Sequence, residues 1–208
     1  MGAVPYRIET ERLVLRCWDP ADAAALLDAQ KESLAELRPF MPWAHEEDQS
    51  LAGKVALLRR FRGAFDLDQD YIYGMFAAGE RAVAGGTGLH ARVGPDAFEI
   101  GYWVRTSLAG RGFATEATAA LTRVAFELHG IDRVEIHAEP ANARSLAIPR
   151  RLGYVEEATL RRRLPWPVGE DRTARDVTVL TLLREELAGS PCAEVALRAF
   201  DAAGERLL

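Results

Sequence analysis

The chain has 208 residues, of which 49% are hydrophobic and 27% are charged, and its formal net charge is −5. This composition excludes a disordered, collagen-like or small disulfide-rich protein, and the length favours one domain with a short appendage. The negative charge argues against a general nucleic-acid-binding protein, because neutralising phosphates requires a basic surface.

Cys17 and Cys192 are far apart in the chain and have no metal-binding or redox spacing such as C-x-x-C. We therefore expect two free thiols in a reducing compartment. The first residues lack the basic and apolar stretches of a secretory leader, and no apolar run approaches the ~18 residues that span a bilayer. These features predict a cytoplasmic protein with no membrane partner.

The first third of the chain predicts one strand and two helices. Alternating apolar residues predict a strand over residues 8–16. Asp19 followed by Pro20 is a helix-start signal, which predicts a helix from residue 20 to about residue 36. Prolines interrupt the pattern after that, and apolar residues at helical spacing predict a second helix over residues 47–65.

In the middle of the chain the apolar residues recur at every second position. This alternation, with turn residues between the runs, predicts a three-stranded antiparallel meander over residues 71–77, 81–91 and 97–104. A glycine cluster at residues 85–88 lies inside the second strand with no helix after it, which favours a β-bulge. The rest of the pattern predicts a helix, a strand, a helix and two strands, over residues 114–128, 134–138, 142–152, 154–164 and 176–183. Together these elements predict one mixed α/β layer.

Glycines mark the junction between the strand that ends at residue 104 and the helix that begins near residue 114. Backbone N–H groups of residues 110–115 and the positive end of the helix dipole meet there, which suits a phosphate or pyrophosphate. A tight turn that requires glycine explains the same residues equally well. The Walker pattern and the dinucleotide fingerprint are both absent, because Gly112 is followed by Phe-Ala-Thr rather than by Lys-Ser/Thr or x-x-Gly.

Four ordered motifs extend this observation. They are Thr10-Glu-Arg-Leu-Val-Leu-Arg16; Glu99-Ile-Gly-Tyr-Trp-Val104 with the loop at 110–115; Asn142-Ala-Arg-Ser145 with Arg151-Leu-Gly-Tyr154; and Arg175-Asp176. With these motifs, residues 8–187 resemble the GNAT superfamily of acetyl-CoA-dependent N-acetyltransferases, and its RimJ/RimL-like branch in particular. The resemblance implies a single mixed, mostly antiparallel sheet of about seven strands. Helices would lie on both faces, and the fourth and fifth strands would splay apart.

The resemblance ends near residue 187, and the residues that follow, Ala188-Gly189-Ser190-Pro191, have the composition of a linker. Residues 1–187 would form the acetyltransferase domain. Residues 188–208 would be a C-terminal tail, with a small hairpin that covers a sheet edge or pairs with a second subunit in a homodimer.

The same resemblance implies a bound acetyl-CoA and no metal. Backbone N–H groups of one loop would hold the pyrophosphate, and the pantetheine arm would run beside the fourth strand. The residues that contact the cosubstrate would be Tyr102, Trp103, Val104, Gly110, Arg111, Gly112, Phe113, Ala114, Thr115, Asn142 and Ser145, with Arg151 near the adenosine phosphate. The family loop usually opens with Gln or Arg, and this chain has Ala109 there, which predicts weaker or adjusted phosphate binding.

The resemblance implies proton-transfer roles for Ser145 and Glu99, and the strand pattern adds His137 as a rival for the second role. Ser145 would protonate the departing thiolate, although Asn142 and Ser145 also fit a helix cap. Glu99 would accept the proton of the amine, for which it must be partly buried with its pKa raised toward neutrality. His137, on a strand face with Glu135 and Glu139, is the rival base, because an imidazole titrates near neutral pH.

The predicted function is transfer of an acetyl group from acetyl-CoA to a primary amine by direct attack in a ternary complex. By family analogy the acceptor is the α-amino group of a protein or peptide N-terminus, and Trp43 falls where the family lines its acceptor groove. A small-molecule amine such as an antibiotic or amino acid is an alternative acceptor, and a non-catalytic acyl-CoA-binding sensor is a different class of function. Arg161, Arg162 and Arg163 are interpreted as a solvated face.

Overall fold

Nine strands form one sheet within residues 4–77, 79–80, 82–164 and 174–208, the parts of the chain that the computed structural model describes. The strands are β1 (Arg7–Glu9), β2 (Leu13–Cys17), β3 (Tyr71–Ala77), β4 (Val83–His90), β5 (Ala97–Val104), β6 (Arg133–Ala138), β7 (Val155–Leu164), β8 (Arg175–Leu183) and β9 (Arg198–Phe200). Their order is β7-β8-β6-β5-β4-β3-β2-β1-β9. Only the β5–β6 pair is parallel within this sheet, so the predicted mixed, mostly antiparallel class is confirmed.

The strand count differs from the expected seven at one edge of the sheet. The single strand predicted over residues 8–16 is wrong, because the chain turns back at residues 10–12 and forms the antiparallel pair β1 and β2. The Thr10 hydroxyl accepts a hydrogen bond from the Leu13 N–H at 3.1 Å, which stabilises this turn. The other additional strand is β9, which pairs with β1.

Among the described residues, five α-helices lie between the strands: α1 (Ala23–Leu37), α2 (Trp43–Glu46), α3 (Leu51–Asp66), α4 (Phe113–Val124) and α5 (Ala143–Arg151). The Asp19 side chain caps a 3-10 turn, Pro20–Asp22, that leads into α1. The predicted second helix begins at Leu51 rather than at residue 47, because Ser50 caps it by accepting a hydrogen bond from the Gly53 N–H. The predicted helix over residues 114–128 is α4 continued by a π-helical turn, Ala125–His129.

Helices cover both faces of the sheet, as expected. On one face, Leu121 and Val124 of α4 pack against strand residues such as Ile100 in the larger apolar core. A second apolar cluster joins α1 and α3 to the sheet through Leu26 and Leu58. Strand β5 therefore has one face toward α4 and the other toward the α1 and α3 side.

Strands β5 and β6 pair over only three residues, Ala97–Glu99 with residues 133–135. Beyond Glu99, β5 continues to pair with β4, and β6 continues to pair with β8. A gap therefore opens between the two strands toward their carboxyl ends. This gap is the splay predicted between the fourth and fifth strands of the seven-strand count.

The C-terminal segment packs into the same core as the rest of the chain. Ala199 of β9 and Cys192 are fully buried there. A bridge between Phe200 and Arg206 turns the last residues back along β9. Both cysteines are free and buried. No helix in the described part of the chain is long and apolar enough to cross a membrane.

The buried position of Ala199 gives a stability prediction. Replacing Ala199 with Glu places a charge without a partner between β1 and the core, and we expect the free energy of unfolding to fall by about 3 kcal/mol or more. The matched control is Ala202→Glu at an exposed position, where a change within about 0.5 kcal/mol is expected. Urea denaturation of both variants measures the difference. Equal stability of the two variants would contradict the packing of β9 described above.

Candidate active site

The loop before α4 presents a row of backbone donors. Gly110 and Gly112 have φ angles of +78° and +82°, a left-handed conformation that glycine adopts without strain. The N–H groups of residues 110–115 donate no hydrogen bond to any described residue, and Gly112 is the N-cap of α4. Free donors at a helix N-terminus, where the dipole is positive, form a site for an anionic group such as a pyrophosphate.

The turn between β1 and β2 holds this loop in place. Arg12 donates from Nη1 to the Arg111 carbonyl at 2.7 Å and from Nε to Glu116 at 2.6 Å. The Thr10 hydroxyl donates to the same Glu116 carboxylate at 2.6 Å. The motif at residues 10–16 thus has a physical role that its sequence did not reveal, because the contacts join segments about a hundred residues apart.

A second set of contacts joins the residues before the loop to α1. Arg105 forms ion pairs with Asp28 and Glu32 at 2.9 and 2.6 Å. The Ser107 N–H donates to Glu32 at 2.8 Å. Hydrogen bonds from Ser107 and then from Arg105 lower the pKa of Glu32 to about 2. The loop is therefore held on one side by the β1–β2 turn and on the other by α1.

Tyr102 and Ser145 meet across the gap between β5 and β6. The Tyr102 hydroxyl donates to the Ser145 carbonyl at 2.9 Å and lies 3.2 Å from the Ser145 hydroxyl. Burial raises the pKa of Tyr102 to about 12, so its hydroxyl keeps its proton at neutral pH. Asn142 accepts a hydrogen bond from the Ser145 N–H at 3.1 Å, which is the predicted capping geometry. The cap places the Ser145 hydroxyl beside a second proton donor.

On the opposite face of β5, glycines of β4 and β5 lie next to one another. The cross-strand pairs Gly86–Trp103 and Gly88–Gly101 lie on this face. A Cβ at residue 86 would be 2.6 Å from Nε1 of Trp103, so only glycine lets this indole lie over β4. The rings of Trp103 and Trp43 are 5.9 Å apart. The ring of His90 lies against Gly88 and Gly101 in a similar way. We give the name glycine groove to this face of β4 and β5, where glycines lie beneath the aromatic rings. The register between β3 and β4 shifts at Ala84, because Met75 pairs with Gly85 and Phe76 with Val83. The bulge thus lies just before the glycine cluster, and residues 85–88 themselves pair regularly.

A cluster of charged groups lies at the end of the glycine groove. Arg92 forms a bidentate ion pair with the buried Glu99, with N–O distances of 2.6 and 2.8 Å. His137 Nδ1 is 3.7 Å from Glu99, and His137 Nε2 is 2.6 Å from Glu135. Arg133 donates to the other Glu135 oxygen at 2.6 Å. The imidazole of His137 thus lies between two carboxylates.

The electrostatics of Glu99 differ from the expectation. Burial disfavours its charge, but the hydrogen bonds and positive charge of Arg92 outweigh burial, and the pKa of Glu99 is lowered from its ordinary value. The expected rise toward neutrality is therefore wrong. The pairing of Arg92 with Glu99 was not predicted, because the turn between β4 and β5 separates the two residues in the chain.

The remaining candidate residues have simpler surroundings. Glu139 is drawn away from the His137 cluster, because Arg175 donates to it. Arg151 and Ala109 are exposed, at the end of α5 and before Gly110 respectively. Within the described residues, no group of three or more His, Cys, Asp or Glu side chains is arranged to hold a metal ion.

Comparison with known proteins agrees with this geometry. Residues 12–155 match the family model described as an acetyltransferase (GNAT) domain. The [Ribosomal protein uS5]-alanine N-acetyltransferase of Escherichia coli K12 is 28% identical over 73% of this chain and 79% of that protein. The Bacillus subtilis strain 168 protein named "Putative ribosomal N-acetyltransferase YdaF" is 41% identical, over only 30% of this chain and 34% of its own length.

The solved structure of RimL, a ribosomal L7/L12 α-N-protein acetyltransferase in complex with coenzyme A, has the same fold. It superposes with a TM-score of 0.72 at 22% identity, covering 87% of this chain and 97% of that chain. The family model spans more than half of the chain, and the loop before α4 has the free donors that a pyrophosphate requires. The chain therefore belongs to the GNAT acetyltransferase family and is an acetyl-CoA-dependent N-acetyltransferase.

Proposed function

We propose that this enzyme acetylates the α-amino group of a peptide or protein N-terminus by direct attack in a ternary complex. Acetyl-CoA supplies the acetyl group as a thioester. The amine reaches the gap between β5 and β6 from the glycine groove, and the thiol leaves on the side of Ser145. The observation that supports the proposal most strongly is that the two sides of the gap carry different groups. The hydroxyls of Tyr102 and Ser145 lie on one side, and His137 lies between two carboxylates on the other.

His137 takes the proton from the amine in this proposal. Glu99 is a poor base near neutral pH, because Arg92 lowers its pKa. His137 lies close to both Glu99 and Glu135, and a carboxylate partner orients an imidazole and stabilises the cation that forms when it accepts a proton. Glu99 and Glu135 are then positioning residues.

Ser145 and Tyr102 provide the proton for the departing sulfur. As the C–N bond forms and the C–S bond breaks, the sulfur gains negative charge, and a hydroxyl within hydrogen-bonding reach can neutralise it. The Tyr102 hydroxyl, which burial keeps protonated, lies 3.2 Å from the Ser145 hydroxyl, and by turning its single O–H away from the Ser145 carbonyl it can replenish the proton of Ser145. No residue of the chain becomes covalently modified in this scheme.

The strength of the base favours an α-amino group over a lysine side chain. An α-amino group has a pKa of roughly 7.7 to 8.0 and is partly neutral at physiological pH, whereas a lysine amine, near about 10.4, requires more help. The E. coli relative is named as an N-acetyltransferase of an alanine in ribosomal protein uS5, and RimL is named as an α-N-protein acetyltransferase of ribosomal L7/L12. Both considerations support a polypeptide N-terminus as the acceptor.

A panel of acceptors tests the proposed function. Release of thiol from acetyl-CoA is measured with peptides that have free or blocked N-termini, with peptides whose only amine is a lysine, and with amino acids and antibiotic amines. We expect turnover only with a free peptide α-amino group. Turnover confined to small amines would contradict the peptide assignment, and no thiol release with any amine would favour an acyl-CoA-binding sensor.

If the backbone N–H groups of the loop bind the pyrophosphate, Gly112→Asp should weaken the binding of coenzyme A. A carboxylate beside the bound phosphates and a side chain at a left-handed position should weaken coenzyme A binding by about tenfold or more in calorimetry. Gly204 has a similar φ of +83° and open space around it, so Gly204→Asp is the matched control for backbone strain. If Gly112→Asp and Gly204→Asp bind coenzyme A with equal affinity, the phosphates do not bind at this loop.

Removing the leaving-group proton donors should lower kcat more than it weakens coenzyme binding. We expect Ser145→Ala to reduce kcat on the order of 100-fold, and Tyr102→Phe to reduce it less, because Ser145 retains its own proton. Steady-state kinetics on the best peptide and calorimetry with coenzyme A separate the two effects. An unchanged kcat in Ser145→Ala would show that Ser145 does not donate the proton and has only a structural role at the start of α5.

The pH dependence of kcat at saturating peptide distinguishes the two candidate bases, whereas kcat/KM would also contain an acidic limb from the free peptide amine, whose pKa is roughly 7.7 to 8.0. Because the pKa of Glu99 is lowered, Glu99 is ionised throughout the neutral range, and an acidic limb near neutrality must come from another group. We expect Glu99→Gln to retain that limb, and His137→Ala to lose it with a fall in kcat of about 100-fold or more. Loss of the limb in Glu99→Gln alone would return the role of base to Glu99.

A further inference from the structure

Three consecutive arginines line a cleft at the free edge of the sheet. Arg161, Arg162 and Arg163 lie near the end of β7, which pairs only with β8 in the described sheet. With Asp176 of β8 they line a cleft of about 720 Å³. All three arginines are exposed. We call this feature the arginine cleft.

A β-bulge explains how three neighbouring side chains come to line one cleft. In a regular strand successive side chains point to opposite faces. Here the register with β8 shifts between Leu160 and Leu164, and Arg162 has a left-handed φ of +56°. The Arg162 N–H donates to Asp176 at 2.9 Å, which stabilises the distorted backbone. Bulges of this kind redirect side chains and are frequent beside functional sites.

The charges of the arginine cleft are not balanced within the described chain. Three guanidinium groups face one carboxylate, and none of the three forms an ion pair or side-chain hydrogen bond with a described residue. The arginines near the glycine groove differ, since Arg92 and Arg133 each pair with a buried carboxylate. A guanidinium binds carboxylates in bidentate geometry. The arginine cleft is therefore a local positive site on a chain whose net charge is −5.

The arginine cleft lies at the end of the sheet where the gap between β5 and β6 opens. Thr178 of β8 pairs with Ala138, the last residue of β6, so Asp176 is two residues beyond the end of β6. The neighbouring Arg175 donates to Glu139, which follows β6, and to the carbonyl of Pro39, which follows α1. The arginine cleft and the gap therefore open at the same end of the sheet with β6 and β8 between them, and an acceptor chain that enters the gap would cross the ends of these two strands to reach the cleft.

We propose that the arginine cleft binds acidic side chains of the acceptor, so that the enzyme prefers polypeptides with Glu or Asp a few residues after the N-terminus. This inference rests on the proposed function. A polypeptide is favoured over a nucleic acid, because the acceptor must present an amine at the gap and the rest of the chain carries net negative charge.

Paired peptides test the preference directly. Two peptides share the same first two residues and carry either Glu or Gln at positions three to six. We expect the wild-type enzyme to favour the Glu peptide by about tenfold in kcat/KM, mainly through KM, and the preference to decline as salt screens the charges. In the double variant Arg161→Gln/Arg163→Gln the two peptides should react equally. Arg162 is left unchanged, because its strained backbone is part of the bulge.

Two further variants control for net charge and for arginine geometry. Arg59→Gln/Arg60→Gln removes the same charge from two exposed arginines on α3 and should leave the preference intact. Arg161→Lys/Arg163→Lys keeps the charge without the bidentate geometry and should retain part of the preference. Equal kcat/KM for the two peptides in the wild type, or a preference that persists in the Arg161→Gln/Arg163→Gln variant, would overturn the proposal.

A binding measurement separates this inference from the proposed function. Fluorescence anisotropy compares labelled Glu and Gln peptides, and a single-stranded RNA oligonucleotide of equal charge, on the wild type and the double glutamine variant. Acidic-peptide binding that depends on Arg161 and Arg163, without acetylation of any peptide, supports the arginine cleft and contradicts the proposed function. Acetylation of both peptides with no difference between them supports the proposed function and contradicts the role of the arginine cleft. Tighter binding of the oligonucleotide than of the Glu peptide would also overturn the proposal.

Discussion

The parting of β5 from β6 is the constraint on which the active site depends. Two parallel neighbours that stop pairing at Glu99 leave backbone N–H and C=O groups facing each other across a gap, and buried polar groups of this kind require partners. Each strand is held on its outer side by continued pairing with β4 or β8. The gap is therefore stable without closing, and it can take an extended substrate arm as if it were another strand.

Every other part of the site is arranged around that gap by contacts between distant segments. The β1–β2 turn reaches the loop before α4 through Arg12 and Glu116, and α1 reaches the residues before it through Glu32 and Arg105. These interactions are ion pairs with hydrogen-bonding geometry, so they fix direction as well as distance. Glycines at left-handed positions give this loop conformational freedom. The contacts with the β1–β2 turn and with α1 restrict the loop to one conformation and so to one orientation of its N–H donors.

The charge cluster around Glu99 illustrates how burial and pairing compete. Burial alone would raise the pKa of this carboxyl and make it a base, but the bidentate contact with Arg92 reverses the direction. His137 then lies near two carboxylates instead of one neutral acid. The contact with Arg92, with a closest N–O distance of 2.6 Å, thus makes Glu99 a weaker base. That distance depends on the turn between β4 and β5.

The order of elements, the meander, the glycine loop and the family were all determined by the sequence, because periodicity, caps and ordered motifs are local properties of the chain. The division of residues 8–16 into β1 and β2 is not local, since a strand of three residues has too little pattern to identify. The sequence also left open whether the tail hairpin covers a sheet edge or pairs with a second subunit, and only the fold pairs β9 with β1. The partners of Arg12, Glu99 and Tyr102 also lay beyond the sequence. Hydrogen bonds and ion pairs act over about 3 Å, and only the folded sheet brings side chains from separate segments within that range.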